Sequence, residues 1–429
     1  MGLLANTEDL IVRYRLMTVF LAVFLFLQPF QKFAGVRSTA FVLLCLAFVV
    51  KLVRGGNKTG LKDPSVIGLI LIIAVSLLSS ALSPYPQESF DALRKNLLYQ
   101  AVVFFVIVNC YRGYVGLKPL FYALMGGFAA LSVYVVFKYD PEVFLNWLSH
   151  SDRGDAPFLK GYSLYATFYI PLAVAYLYAS NEGWKLKSAL VFFIFLELTL
   201  SVLNNHRGQL VAIVLSGAAI TVFAKRYYLL LAGLMVCVAL SLALLRVNPQ
   251  SFDRYKTLLS PHTYVTNEHT GLNDRLAIWE GAFDMIKDRP VLGWGYGWKK
   301  LSTVANEKGY IDRWDKSGPT YRYYTQKGYG SANPHNLAIQ ILFETGVLGL
   351  LAFLFFWGTV VVKAASAGVS ASAGTRLLKY GASGVLLSYL LINYANGLWE
   401  ESFGILMVAF AASMVVLYRE AECDEEGAL

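Results

Sequence analysis

The stretch Ser331-Ala-Asn-Pro-His-Asn-Leu-Ala-Ile-Gln-Ile-Leu-Phe-Glu-Thr-Gly-Val-Leu-Gly-Leu350 runs from a polar, titratable cluster straight into an apolar helix. Pro334 suits a first helical turn, where its missing N–H is not needed, and Asn333 before it is expected to cap the free amides. From there to Lys363 the run is mainly apolar, with polar interruptions at Gln340, Glu344 and Thr345. That is the length and character of a membrane span. The sequence therefore presents His335 at a membrane surface, either as an interfacial imidazole without a role or as a group that works with charged neighbours.

Composition decides the class. Hydrophobic residues make up 56% of the 429-residue chain and charged residues 15%, with a mean hydropathy of +0.51. Soluble domains of this size do not reach such values, so the fold class is an all-α polytopic membrane protein. The first apolar run lacks a small-residue cleavage site and reads as a retained span. Cys45, Cys110, Cys237 and Cys423 fall in spans, at a span end and in the C-terminal tail, so no disulfide framework is implied.

Candidate spans lie near residues 15–32, 39–53, 65–83, 97–111, 118–138, 162–180, 187–204, 208–224, 227–246, 336–362, 377–396 and 402–418, which makes twelve. They divide the chain into transmembrane helices over 1–247, a long loop over 248–335, transmembrane helices over 336–418 and an acidic tail over 419–429. With the N-terminus inside, the short inner connections carry about twice as many Lys and Arg as the outer ones. This orientation places His335 and the long loop on the outer face.

Basic residues also collect on that outer face, against the usual bias. For Arg37, Arg94, Lys95, Arg153 and Lys160, a bound anion and lipid headgroups both remain open. Arg207 differs, because Asn204-Asn-His-Arg-Gly208 is a very short turn that leaves a guanidinium at the membrane boundary, where a charge without a partner is expensive. A bound anion is the better reading there.

Within the long loop, an amphipathic helix is expected over 273–288. Asn273 can cap it, Leu276, Trp279, Phe283 and Ile286 form its apolar face, and Asp288-Arg-Pro290 stops it. Arg275 in its first turn strengthens an anion site made by the helix amides, or else pairs with Asp274 or Glu280. Gly293-Trp-Gly-Tyr-Gly-Trp298 follows, a run that lets the backbone approach a ligand while aromatic faces stack on sugars, and that fits neither a P-loop nor a dinucleotide fingerprint. Arg313, Trp314, Tyr321, Arg322, Tyr323 and Tyr324 read either as a carbohydrate or lipid-phosphate surface or as an interfacial aromatic belt.

Arg207 in its short turn, Asn273-Asp-Arg-Leu-Ala-Ile-Trp279, Pro290-Val-Leu-Gly-Trp-Gly295, Asn333-Pro-His-Asn336 and Glu344-Thr-Gly-Val-Leu-Gly349 together resemble the O-antigen ligase and polymerase superfamily. The likeness covers about residues 200–350. It implies a GT-C-like membrane glycosyltransferase that moves O-antigen polysaccharide from undecaprenyl diphosphate to a sugar of lipid A-core, on the periplasmic side of the bacterial inner membrane. By the family pattern His335 is the catalytic base and Arg207 and Arg275 hold the diphosphate. Beside that pattern, Arg153, Lys160, Arg94 and Asn336 are further substrate-binding candidates. Membrane lipids are expected partners, and neither nucleic acid, nor a cofactor, nor a metal is.

Three alternatives stay beside this expectation. A polymerase would use the same donor with a different acceptor. Asp140-Pro-Glu142 could hold a divalent cation. A twelve-span transporter would account for the intramembrane acids Glu197 and Glu344, although the chain shows no internal repeat and its polar chemistry gathers at one face.

Overall fold

The computed structural model describes residues 15–53, 62–138, 157–203, 207–228, 271–367 and 372–426, apart from Ala395, Leu398 and Glu400, together with scattered positions between 231 and 246. Their regular structure is entirely helical. The first half comprises α1 (Arg15–Phe26), α2 (Ala34–Val53), α3 (Pro64–Ala81), α4 (Pro86–Lys95), α5 (Leu97–Cys110), α6 (Gly113–Lys138), α7 (Pro157–Ala179), α8 (Trp184–Leu203) and α9 (Arg207–Phe223). Four helices belong to the long loop: α10 (Gly271–Asp288), α11 (Leu301–Glu307), α12 (Tyr310–Arg313) and α13 (Pro319–Gln326). The last four are α14 (Leu337–Ser366), α15 (Ala373–Gly381), α16 (Leu387–Asn393) and α17 (Glu401–Glu426), with a short π-helical segment over Ala382–Leu386 joining α15 to α16.

Local chemistry sets several of these starts. Asp63 caps α3 by accepting from Ser65 N, with Pro64 in the first turn, and Ser372 caps α15 by accepting from Thr375 N. Ala34–Val53, Pro64–Ala81, Pro86–Cys110, Gly113–Lys138, Leu337–Ser366 and Ser402–Cys423 are long and apolar enough to cross a membrane, and Leu16–Phe26, Leu164–Ala179 and Gly208–Phe223 are shorter apolar helices. The chain is thus an all-helical, multi-pass membrane protein. Of the twelve expected crossings, much of 227–246 lies outside the described residues.

Apolar side chains face outward along these helices, as Val42, Leu46, Leu351, Leu354 and Val361 show, so hydrophobicity alone does not choose the packing faces. Small residues do. A Cβ on Gly68 would lie 2.8 Å from Phe356 Cα, which is how closely α3 and α14 approach. The most enclosed helix is α17, where Leu406, Met407, Val408, Phe410 and Ala411 are all buried.

One helix is broken. Within α14, Gly346 has φ 64° and ψ −164°, a conformation only glycine adopts readily. The segment 290–295, a strip of successive turns, fills the break. Trp294 N and Gly295 N donate to Phe343 O and Glu344 O at 2.8 and 2.9 Å, and Val347 N and Leu348 N donate to Pro290 O and Val291 O at 2.8 and 3.3 Å. Ser79 of α3 donates to Leu292 O and Glu344 O, at 2.5 and 2.8 Å. Backbone groups freed by the break are therefore re-paired within the protein, as irregular backbone at membrane depth requires.

This geometry corrects the expectation for the glycine-aromatic run. Gly293, Gly295 and Gly297 all have positive φ, and the backbone that Gly293 and Gly295 free is taken up by the protein's own helices. A Cβ on Gly293 would lie 2.5 Å from Phe343 O, and one on Gly295 2.6 Å from Ser83 Oγ. Trp294 and Tyr296 are buried, and Trp294 Nε1 donates to Met285 O at 2.8 Å, so these rings are core and not sugar platforms. The long loop likewise has its own apolar centre, in which Met285, Leu301, Val304, Tyr310 and Tyr324 pack with Phe343 of α14.

At the opposite end of the bundle, Asp63 is buried between Lys363 of α14 and Arg419 of α17, 3.3 Å from each. The last helix carries on through 419–426, and Glu420 there accepts from Tyr114 N at 2.9 Å. Cys45, Cys110 and Cys423 are free thiols, and Cys237 lies outside the described residues.

Candidate active site

His335 sits where the loop unit meets the first turn of α14. Asn333, Pro334 and Asn336 build the local geometry, differently from the sequence expectation. Asn333 Oδ1 accepts from His335 N at 2.7 Å, closing an Asx turn around Pro334. Asn336 is the residue that caps α14, its Oδ1 accepting from Ile339 N at 3.2 Å. Both asparagines are competent caps. His335 between them has left-handed backbone, which no helix continues through, so the helix starts after the second. Between them His335 is held at φ 50°, in the left-handed region where non-glycine residues mark strained and often functional positions.

The loop helix α10 lies over this corner. It starts at Gly271, so its backbone is already helical at Asn273, which was expected to cap it. Trp279 Nε1 donates to Pro334 O at 2.9 Å and pins α10 to the histidine turn. One turn earlier, half-buried Arg275 acts electrostatically on His335. Burial pulls the guanidinium of Arg275 below its ordinary pKa. Burial first, then the charges of Arg275 and Lys327, pull His335 down to about 4. At neutral pH the imidazole is uncharged and can accept a proton. Glu280, a candidate partner for Arg275, accepts instead from Thr320 Oγ1 at 2.8 Å.

The face of α10 also divides. Ala277, Ile278, Ala282, Met285 and Ile286 are buried against the loop unit, whereas Leu276 and Phe283 are exposed. Sequence periodicity selected the larger apolar residues of both faces. Tyr394 completes the corner: Trp279 meets its ring edge to face at 6.0 Å, and Asn336 Nδ2 donates to its carbonyl at 3.3 Å.

Residues 189–354 match a family model described as O-antigen ligase. This match supports assigning that segment to the O-antigen ligase superfamily. No curated protein matches the chain. The matched segment contains Arg207, Arg275 and His335, together with the 290–295 strip and the break at Gly346. Within it the superfamily assignment and the geometry meet at the same corner. Tyr394 lies beyond it and carries no motif signal. Lys327 has none either, being one of many exposed loop lysines.

The other candidates are described only in part. Arg207 begins α9, and its side chain, like that of Lys160 in α7, lies outside the described residues. Arg153, Asp140 and Glu142 lie outside them entirely. Arg94 is exposed and pairs with Asp91 at 2.8 Å. Lys95 pairs with the same aspartate, at 2.5 Å, and it and Arg37 share a cavity. With Lys299, Lys300, Glu88 and Asp91 they line a cavity of about 570 Å³ that also exposes Tyr99, Tyr165 and Tyr329. Lys300 is fully buried and donates to Ser89 Oγ at 2.9 Å and Tyr296 O at 2.6 Å.

Proposed function

We propose that the protein is a membrane glycosyltransferase that transfers O-antigen polysaccharide from undecaprenyl diphosphate to a sugar hydroxyl of lipid A-core, on the periplasmic side of a bacterial inner membrane, through twelve crossings in a GT-C-like arrangement. The observation that carries this reading is that the matched segment holds His335 in a left-handed turn pinned by Trp279 of α10, the helix that also carries Arg275. An alcohol has a pKa far above 7, so removing its proton as it attacks lowers the barrier, and the uncharged imidazole is the form that can accept it.

In the proposed step the acceptor oxygen bonds to the anomeric carbon while His335 takes its proton. The bond from that carbon to the diphosphate oxygen breaks, and the electron pair leaves with the lipid diphosphate. Direct displacement inverts the anomeric centre. Arg275 and Arg207 bind the diphosphate and stabilise the charge that builds on it, and the N-termini of α10 and α14 add to the positive field. Asn336 holds the turn, while Arg94, Arg153 and Lys160 serve as outlying cations for the donor or acceptor. The mixed, tyrosine-rich cavity around Arg37 and Lys95 suits a glycan bearing charged groups.

The test is transfer by the purified protein with lipid-linked donor, given lipid A-core and a second donor chain in separate reactions. Product on lipid A-core supports the ligase, and product only on the donor chain makes it a polymerase. Solute flux in proteoliposomes without any transfer would assign it to transport.

A further inference from the structure

Helix ends gather in a second pocket, at the end of the bundle remote from His335. The C-terminus of α7, the N-terminus of α8, the C-terminus of α9 and the first turns of α15 enclose about 300 Å³. Lys187 of α8, Arg226 just beyond α9 and Arg376 of α15 line it with Ser180, Tyr178 and Tyr380. None of the lining residues is acidic. Glu182, the nearest acid in sequence, pairs with Lys118 at 2.5 Å.

Two features show that the pocket is built. Ser180 is buried, with 3% of its surface exposed, and its Oγ has no hydrogen-bond partner. A hydroxyl left so is costly unless a ligand answers it. Arg226 is positioned by a Schellman turn, in which Arg226 N donates to Thr221 O at 3.0 Å and Lys225 N to Val222 O at 2.9 Å. Lys225 occupies the left-handed position at φ 55° where glycine is usual. On the far side Arg376 is fixed by Ala179 O and Asn181 Oδ1, both at 2.8 Å, which leaves the plane of its guanidinium ordered.

We propose that this pocket binds the phosphate of an anionic membrane lipid headgroup. Three cations, a hydroxyl and two phenols around a small polar space are the chemistry of a phosphate site. Two of the four helices whose ends enclose it, α7 and α9, are apolar, which makes a lipid, and not a soluble anion, the source, since basic pockets between spans recruit acidic headgroups. Bound lipid would tie α9, which carries Arg207 at its other end, to α7, α8 and α15.

The test uses the full-length protein, delipidated and reloaded with phosphatidylglycerol or phosphatidylcholine, with lipid retention read by native mass spectrometry and stability by thermal unfolding. Wild type should retain phosphatidylglycerol selectively and unfold at a higher temperature with it. The double variant Lys187→Ala/Arg226→Ala, altering one exposed and one half-buried side chain, should unfold with wild type in phosphatidylcholine yet bind phosphatidylglycerol roughly thirtyfold more weakly. Ser180→Ala should weaken retention without changing stability in phosphatidylcholine. Unchanged selectivity in both variants would overturn the proposal. So would stabilisation by inorganic phosphate alone with none from phosphatidylglycerol, which would assign the pocket to a soluble anion.

Discussion

Replacing Gly346 by alanine should disrupt the protein more than any other single methyl added to α14. Two effects combine. The observed φ of 64° with ψ −164° lies in a region that alanine enters at a cost of roughly 1–3 kcal/mol. The added Cβ would also overlap the Val291 carbonyl and lie 2.6 Å from Leu292 N, and these are backbone atoms that no rotamer change can move aside. The 290–295 strip must then withdraw. Losing two of its four hydrogen bonds to α14 removes about 1 kcal/mol each, and at membrane depth no water replaces them. The total is about 3–5 kcal/mol.

The consequence reaches the site, because the strip joins the end of α10 to the break in α14 and so sets Arg275 against His335. Thermal unfolding of purified protein reads the stability, and transfer assays read the geometry. Gly358→Ala is the control on the same helix. A Cβ there meets nothing within 4 Å, so the change should be neutral or slightly stabilising. Equal unfolding temperatures for Gly346→Ala and wild type would refute the reasoning.

Other expectations follow from single residues. The rate should be flat near neutrality and fall only on acidification towards pH 4, and Arg275→Gln should move that inflection upward by removing a charge that opposes protonation; a wild-type inflection near 6.5 would contradict the environment described for His335. Stability shares the sign: the folded state binds the His335 proton more weakly than the unfolded chain, so its contribution is complete above about 6.5 and declines as pH falls towards 4, which unfolding measured across that window checks. Arg207→Lys and Arg275→Lys should recover little activity, since an ammonium lacks the bidentate fork, and wild-type rates in both would reduce the role to simple charge. Asp63→Ala leaves Lys363 and Arg419 without their shared partner and should lower stability by roughly 2–4 kcal/mol, less than a fully enclosed pair would give because Arg419 reaches solvent; an unchanged unfolding temperature would show the cluster to be inert. Glu197 and Glu344 are buried, Glu197 accepting from Ser132 and Glu344 from Gln340, so the Gln variants should keep most activity and the Ala variants should lose stability and activity together; a folded but inactive Gln variant would assign proton transfer to the acid instead.

What was legible in the sequence was local or additive. Composition gave the class, Asn333 to Asn336 marked the border where His335 sits, and the stop at Asp288-Arg-Pro290 ended α10 where expected. The break at Gly346 was not legible, because hydropathy runs unchanged through it and the strip that fills it lies some fifty residues earlier. For the same reason Trp294, Tyr296 and Tyr324 looked like binding surface: a glycine freed for close approach does not say what is approached. The choice between Asn333 and Asn336 as cap turned on the left-handed backbone of His335 between them. Tyr394 was hidden in an expected span over 377–396, where the helix ends at Asn393 and Tyr394 meets Trp279 and Asn336.

The most direct measurement is turnover by purified wild type and His335→Ala with lipid-linked donor and lipid A-core, alongside donor binding to both. Wild type should transfer the glycan, and the variant should bind donor nearly as well yet turn over roughly 10²–10⁴ times more slowly. Transfer at the wild-type rate by a well-folded His335→Ala protein would contradict the account.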